Sequence, residues 1–222
     1  MKLTVSMITM NEEGAVAKVI HDIRRVAPDA EILLVDSSKD RTAEIAEELG
    51  ARVIKQFPPQ GYGPAMNRAV REAHGDVVIT LDCDDTYPVE VIPELMKHMD
   101  EGYDLVNTTR TWRRPAAMPF ANFLANRLFA LGARVMHGLK TTDVHSGMRA
   151  YRKSMIDQVQ WIEKGPALPV DMYVIPFKRG FKTLEIPIDY RERIGTTTLH
   201  RWSSTIWTFK RLWWARSIKT RP

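Results

Sequence analysis

Three carboxylates, Asp82, Asp84 and Asp85, follow the apolar run that opens "DVVITLDCDDTYPVE". Acids at this density suit a hard divalent cation docking a diphosphate, because such a cation is bound through one or two carboxylates together with phosphate oxygens. The same cation would disperse charge on a departing diphosphate. In an extended segment Asp82 and Asp84 point to one side and Cys83 to the other. Taken alone, the cluster reads equally as the solvated exit of a strand.

Asp36, ahead of "SSKDRT", offers a carboxylate to the N–H donors of a nucleobase, and Asp40 and Thr42 can cap the helix that follows. An ordinary turn would use the same residues. Gly61 and Gly63 would admit a close backbone approach, although a Gly-x-Gly by itself is a weak signal. Cys83 is the only cysteine, which excludes an intrachain disulfide and a Cys-rich zinc site.

The elements that must position these groups follow from the apolar pattern. "LTVSMITM", "AEILLVD", "ARVIKQF" and "DVVITLD" read as strands. Between them "AVAKVIHDIRRV", "SSKDRTAEIAEELG" and "GYGPAMNRAVREAHG" read as helices, the second closed by Gly50, the third opened near Pro64 and closed by Gly75. Four strands alternating with helices predict an open, mostly parallel α/β sheet. Ligands of such sheets bind at the carboxyl ends of the strands. Asn11, Glu12, Asp36 and the acid cluster all sit there and should face one crevice.

After residue 88, "PVEVIPELMKHMDEG", "MPFANFLANRLFALGARVMHGL" and "ALPVDMYVIPFKRG" read as helices, and "YDLVNTTR", "SGMRAYR" and "KTLEIPIDYRER" as strands. Apolar residues make up 44% and charged residues 27%, which argues against disorder. The start lacks a signal-peptide pattern and no run of about 18 apolar residues occurs, so the chain is expected to be cytoplasmic and not to span a membrane.

The net charge is +5, yet residues 193–222 hold seven Lys or Arg and no acid, leaving net −2 for residues 1–192. In this tail Trp202, Ile206, Phe209 and Trp213 mark one helix face, with Trp207 and Trp214 beside it and Lys210, Arg211, Arg216 and Lys219 as cations. Such a C-terminal amphipathic helix fits the interface of an anionic membrane, placing the protein peripherally at the cytoplasmic face. The same residues would serve a helix packed on the domain or in a homodimer. No nucleic-acid motif accompanies the basic residues, and no nucleic-acid partner is expected.

"ITMNEEG", "VDSSKDRT", "GYGPAMNRAV", "LDCDDTYPVE", "SGMRAYR" and "EIPIDYRERIG" occur in an order and spacing that resembles the family 2 glycosyltransferases of GT-A fold. The resemblance is to the polyprenyl-phosphate (dolichyl-phosphate) mannose or glucose synthases and covers about residues 3–199. It implies a Rossmann-like sheet in a domain of residues 1–199, followed by a basic, aromatic helix over 200–222. It implies inverting transfer of a sugar from a GDP- or UDP-sugar to a lipid phosphate. Thr9, Asn11, Glu12 and Asp36 would line the nucleotide pocket together with Gly61, and Asp82 and Asp84 would hold Mg²⁺ or Mn²⁺, with Asp85 a bystander. Ser146 and Arg149 would lie near the acceptor phosphate. For a hydroxyl acceptor, Asp171 would be the catalytic base, with Asp143 and His145 behind it.

The departures bear on the acceptor. Met10 stands where the family has an aromatic residue, Thr86 where a third metal ligand is common, and Thr198 where a Lys meets phosphate. A phosphate-binding Arg falls near Met118, with Arg113 and Arg114 close by. A soluble hydroxyl acceptor therefore stays open. A nucleotidylyltransferase would need a Gly-rich basic loop after the first strand, which "MITMNEEG" is not, and a non-catalytic sugar-nucleotide-binding module would lack the Asp-x-Asp pair.

Overall fold

The computed structural model describes residues 1–161, 165, 167–195 and 201–218, and only the backbone at 201–204. The expected alternation is present: β1 (Leu3–Thr9), α1 (Val16–Val26), β2 (Glu31–Asp36), α2 (Thr42–Glu48), β3 (Arg52–Lys55), α3 (Tyr62–Arg71) and β4 (Val77–Thr80). Then come α4 (Ile92–Asp100), β5 (Leu105–Thr109), α5 (Phe120–His137), β6 (Arg149–Arg152), α6 (Lys153–Gln158), α7 (Leu168–Lys178), β7 (Thr183–Pro187) and α8 (Arg201–Trp214). Six-residue α6 was not foreseen; it is too short to show a helical period.

The strands form one sheet in the order β3-β2-β1-β4-β6-β5-β7, parallel except for β6. This is the mostly parallel sheet flanked by helices that the resemblance implies. Because both faces are covered, the strands are apolar on both sides. Val5, Met7, Ile32 and Leu34 pack with α1, α2 and α4, whereas Leu33 and Val78 pack with α3, α5, α7 and α8. On α1, Val16, Val19, Ile20 and Ile23 are the buried stripe, at the spacing that puts one helix face on the sheet.

Gly75 does not end α3, which stops at Arg71. A Cβ at Gly75 would lie 2.6 Å from the Thr4 backbone nitrogen, so glycine is needed there for the chain to pass close to β1.

Antiparallel β6 matters most for function. It pairs Arg149 with Thr80 of β4 and with Asn107 of β5. Running against its neighbours, it begins where they end, and so delivers the segment before it, residues 143–148, to their carboxyl ends.

The tail helix docks on the domain, with its expected apolar face turned outward. Thr208, Arg211 and Leu212 of α8 are buried, whereas Ile206, Phe209 and Trp213 are exposed; the Trp202 side chain and Thr198 lie outside the described residues. Arg211, expected among the surface cations, pairs instead with the buried carboxylate of Asp171 on α7 at 2.8 Å. His137 on α5 meets the Leu212 carbonyl at 2.9 Å, and Lys178 on α7 donates to the Ala215 carbonyl at 2.7 Å. Removing one partner of a buried ion pair costs about 3–5 kcal/mol. Arg211→Met should therefore lower the urea midpoint by a corresponding amount, and the Asp171→Asn/Arg211→Met pair should lose less than the two single effects summed.

Candidate active site

The carboxyl ends of β1, β2 and β4 converge as the sequence predicted. Thr9 donates its hydroxyl to the Asp36 carboxylate at 2.6 Å, and Ser38 donates both hydroxyl (2.6 Å) and N–H (3.1 Å) to the same group. Asn11 takes a left-handed conformation, φ 62°, which asparagine tolerates better than most residues. There its N–H donates to Ser38 and its side-chain carbonyl accepts from Lys39, stitching the two strand exits together. Glu12 donates its N–H to Thr42, whose own N–H is accepted by Asp40. Gly61, φ 97°, precedes α3 with an open space around its α-carbon.

The acid cluster separates its members. Asp85, with φ 63°, turns its carboxylate to Lys18 on α1 at 2.8 Å and leaves the crevice. Asp84 is buried, and its Oδ1 accepts the Thr86 hydroxyl at 2.6 Å and the Thr86 N–H at 3.1 Å. Thr86, standing where a third metal ligand was expected, thus orients Asp84. Asp82 is half-buried and lines a cavity of about 540 Å³. Burial and the neighbouring Asp84 charge push the Asp82 carboxyl above its ordinary range, against the pull of Arg110 and Arg193. Glu12 is pushed up to about 7, by burial first and by Asp84 and Asp82 as well, against Arg193.

The sequence marks Arg193 only as one of the seven tail bases, although it lies in the quoted "EIPIDYRERIG". The Arg191 N–H donates to the Thr86 carbonyl and the Ile194 N–H to the Asp84 carbonyl, so the segment after β7 runs alongside the acid loop. Arg193 thereby pairs with Asp84 and lies 3.6 Å from the Glu12 carboxylate. Arg110, at the end of β5, was missed, though a base at a strand's carboxyl end follows the rule that flagged the acids. It grips Asp143 through two bonds, 2.7 and 3.0 Å, lies 5.4 Å from the Tyr190 ring centre, and lines the cavity. Burial alone would raise the Asp143 carboxyl, but Arg110 outweighs it and holds it low.

Three expected residues are buried behind the cavity surface. Asp171 is fully buried in its pair with Arg211 and is absent from the cavity wall, so it does not face an acceptor as a base. Arg149 is fully buried as well: its guanidinium donates to Asn107 and to the carbonyls of Pro169 and Val144, bracing the cavity wall from beneath. Ser146 is buried against Thr108 at 2.8 Å. The motif's contribution to the cavity comes from its neighbours. His145 lines it with Nε2 2.8 Å from the Thr208 hydroxyl, and burial pushes its pKa down to about 4, leaving the ring neutral at pH 7.

Gly147 is the other neighbour. Its N–H donates to the Tyr87 hydroxyl at 2.6 Å, and a Cβ on it would stand 3.0 Å from Asp82 Oδ1. Gly147→Ala should displace the Asp82 carboxylate by a few tenths of an ångström. The expected result is a fall in catalytic turnover of about 10- to 100-fold with an unchanged circular dichroism spectrum and melting transition.

The residues fit a hard divalent cation. Two carboxylates two positions apart, one on the cavity wall, provide the oxygen donors that Mg²⁺ or Mn²⁺ prefers. Among the described residues no three His, Cys, Asp or Glu side chains close into a cage, and a cation shared with a diphosphate does not require one.

Residues 4–160 match the family described as Glycosyl transferase family 2. A dolichyl-phosphate hexose transferase of Haloferax volcanii is 43% identical over 198 residues, covering 89% of this chain and 86% of that protein. An undecaprenyl-phosphate 4-deoxy-4-formamido-L-arabinose transferase of Edwardsiella ictaluri is 35% identical over 176 residues, covering 73% of this chain and 50% of its own length. The chain spans about half to three-fifths of several further curated relatives. Glucosyl-3-phosphoglycerate synthase of Mycobacterium tuberculosis, solved with Mn²⁺, UDP-glucose and phosphoglyceric acid, superposes with a TM-score of 0.80 at 20% identity over 98% of this chain and 80% of that one, a likeness of fold. A family match over most of the chain, on a sheet whose carboxyl ends gather these acids, makes this protein a glycosyltransferase of family 2 with the GT-A fold.

Proposed function

We propose that the protein transfers a hexose from a nucleoside diphosphate sugar to a polyprenyl phosphate at a membrane surface, with inversion at the anomeric carbon. The relatives' names support the acceptor class. The observation that carries the reading is the make-up of the cavity. It joins Asp82, Arg110 and Arg193 to an apolar wall of Met118, Ala125 and Phe129, and so matches a ligand with an anionic head and a hydrocarbon tail.

The acid–base groups among the described residues lining the cavity favour phosphate over hydroxyl. Among the described residues lining the cavity, Asp82 is the one acid, and His145 is a weak base. A hydroxyl acceptor needs a group to take its proton, typically worth about 100- to 10,000-fold. A phosphate is already anionic, and positioning it in line with the anomeric carbon suffices.

In this reading Thr9, Asn11, Glu12 and Asp36 hold the nucleoside, with Gly61 at the start of α3 beside them. Asp82 and Asp84 hold the cation, which when bound neutralises charge on the departing diphosphate. Arg110 draws the acceptor phosphate toward Asp82, and Asp143 fixes the guanidinium while it does so. Arg193 leaves its pairs with Asp84 and Glu12 to meet the diphosphate. Thr86 and Gly147 act by positioning the two aspartates.

Nucleotide release from a panel of UDP- and GDP-sugars with Mn²⁺ should rise on adding polyprenyl phosphate and stay at background with the unphosphorylated polyprenol. Equal stimulation by both would replace the phosphate acceptor with a hydroxyl one. Asp84→Ala should reduce transfer by about 100- to 1,000-fold and weaken Mn²⁺ binding while the fold persists; unchanged turnover would remove the metal assignment. Because burial and mutual repulsion raise the Glu12 and Asp82 carboxyls, cation binding is expected to displace protons. Mn²⁺ affinity measured calorimetrically should fall as pH drops from 8 to about 6, with proton release in proportion.

A further inference from the structure

Two helices turn an apolar stripe away from the protein. On α5, Phe120, Leu124, Leu128, Leu131 and Val135 recur at three- and four-residue spacing and are between 47 and 76% exposed. That spacing ordinarily marks a buried face, yet the side of α5 that packs inward is Phe129, Ala130 and Ala133. On α8, Ile206, Phe209 and Trp213 are 55 to 67% exposed, while Leu212 is fully buried. The helices lie side by side, with Phe129 and Phe209 edge to face at 5.3 Å. So many large apolar side chains on adjacent surface helices mark an interaction face.

The charge around this face identifies what it meets. Residues 105–142 carry six Lys or Arg and no acid, and residues 193–222 carry seven and no acid. Two segments far apart in sequence therefore hold thirteen of the 32 bases and none of the 27 acids, and the rest of the chain is acidic. Arg110, Arg193 and Arg211 are engaged with acids away from this face, whereas among the described residues Arg114, Arg127 and Arg134 before and on α5, and Lys210 and Arg216 on and just after α8, are exposed. Some of these cations are held at the edge of the apolar stripe, Arg216 at 4.6 Å from the Trp213 ring centre and Arg114 at 5.7 Å from that of Phe120. A second copy docking through the same face would set one basic rim against another. An anionic lipid surface is complementary to both the apolar stripe and the rim.

We propose that α5 and α8 together form the surface by which the protein docks on an anionic bilayer, with α5 as a principal contact. The apolar stripes enter the headgroup boundary and the rim cations meet lipid phosphates. Since α5 also supplies Asn122, Ala125 and Asn126 to the cavity wall, docking sets the cavity at the level of the headgroups. This purpose rests on the lipid acceptor proposed above, whereas the surface itself is argued from exposure and charge.

Deleting the tail would be an unclean test, because α8 supplies the partner of buried Asp171. Leu128→Glu/Leu131→Glu changes only exposed positions outside the cavity. In flotation, wild type should bind vesicles of phosphatidylcholine with about one third phosphatidylglycerol, and bind about tenfold less to phosphatidylcholine alone or in high salt. The double variant should lose about tenfold or more of that binding while transferring normally to a short-chain, water-soluble prenyl phosphate without vesicles. Wild type that never floats at low salt, or a variant that floats equally well, would overturn the proposal. So would a wild-type dimer in light scattering that the variant converts to monomer. Vesicle binding that depends on Leu128 and Leu131 in a protein showing no transfer to any prenyl phosphate would uphold the surface and overturn the function instead.

Discussion

Asp82, Asp84 and Glu12 repel one another across the carboxyl ends of β1 and β4, and the raised pKa values of Glu12 and Asp82 record that repulsion together with their burial. A fold that gathers acids in a desolvated crevice needs counter-charges nearby, since unpaired buried charge is costly. The segment after β7 supplies one through Arg193, and the end of β5 supplies another through Arg110. Arg110 is itself fixed by Asp143, which arrives on the segment ahead of antiparallel β6. The reversed strand thus serves the electrostatics of the crevice as well as the sheet.

The residues around the two aspartates act mainly through geometry. Thr86 presents a hydroxyl and an N–H to Asp84, fixing one carboxylate. Gly147 withholds a side chain from the space that the Asp82 carboxylate occupies. Arg149 ties Asn107, Pro169 and Val144 into one support under the cavity. Its fully engaged guanidinium shapes the cavity wall without facing it.

On the opposite side of the cavity the constraint is hydrophobic. α8 is anchored by a few polar bonds, Arg211 to Asp171, His137 to the Leu212 carbonyl and Lys178 to the Ala215 carbonyl just beyond its end, and this leaves Ile206, Phe209 and Trp213 outward. Buried ion pairs contribute specificity of placement more readily than net stability. Here the pairing fixes the rotation of α8 about its axis, and with it which residues the helix presents beside α5.

The alternation of β-branched runs with amphipathic segments determined the sheet and its helices, because period-two and helical patterns are local properties of the chain. The strand-end position of Asn11, Glu12, Asp36 and Asp82 was legible for the same reason: in a parallel sheet the carboxyl ends share one edge. Sequence order could not show that β6 runs backward between β4 and β5, and the roles of Gly147, Arg110 and Arg193 depended on contacts between residues far apart in the chain, such as Arg193 with Asp84 and Glu12. It also could not decide which side of α8 faces inward, since hydrophobic periodicity marks an apolar face without saying whether protein or lipid covers it. Only the packing of Arg211 onto Asp171 settled that, by putting a charged residue inside and Ile206, Phe209 and Trp213 outside.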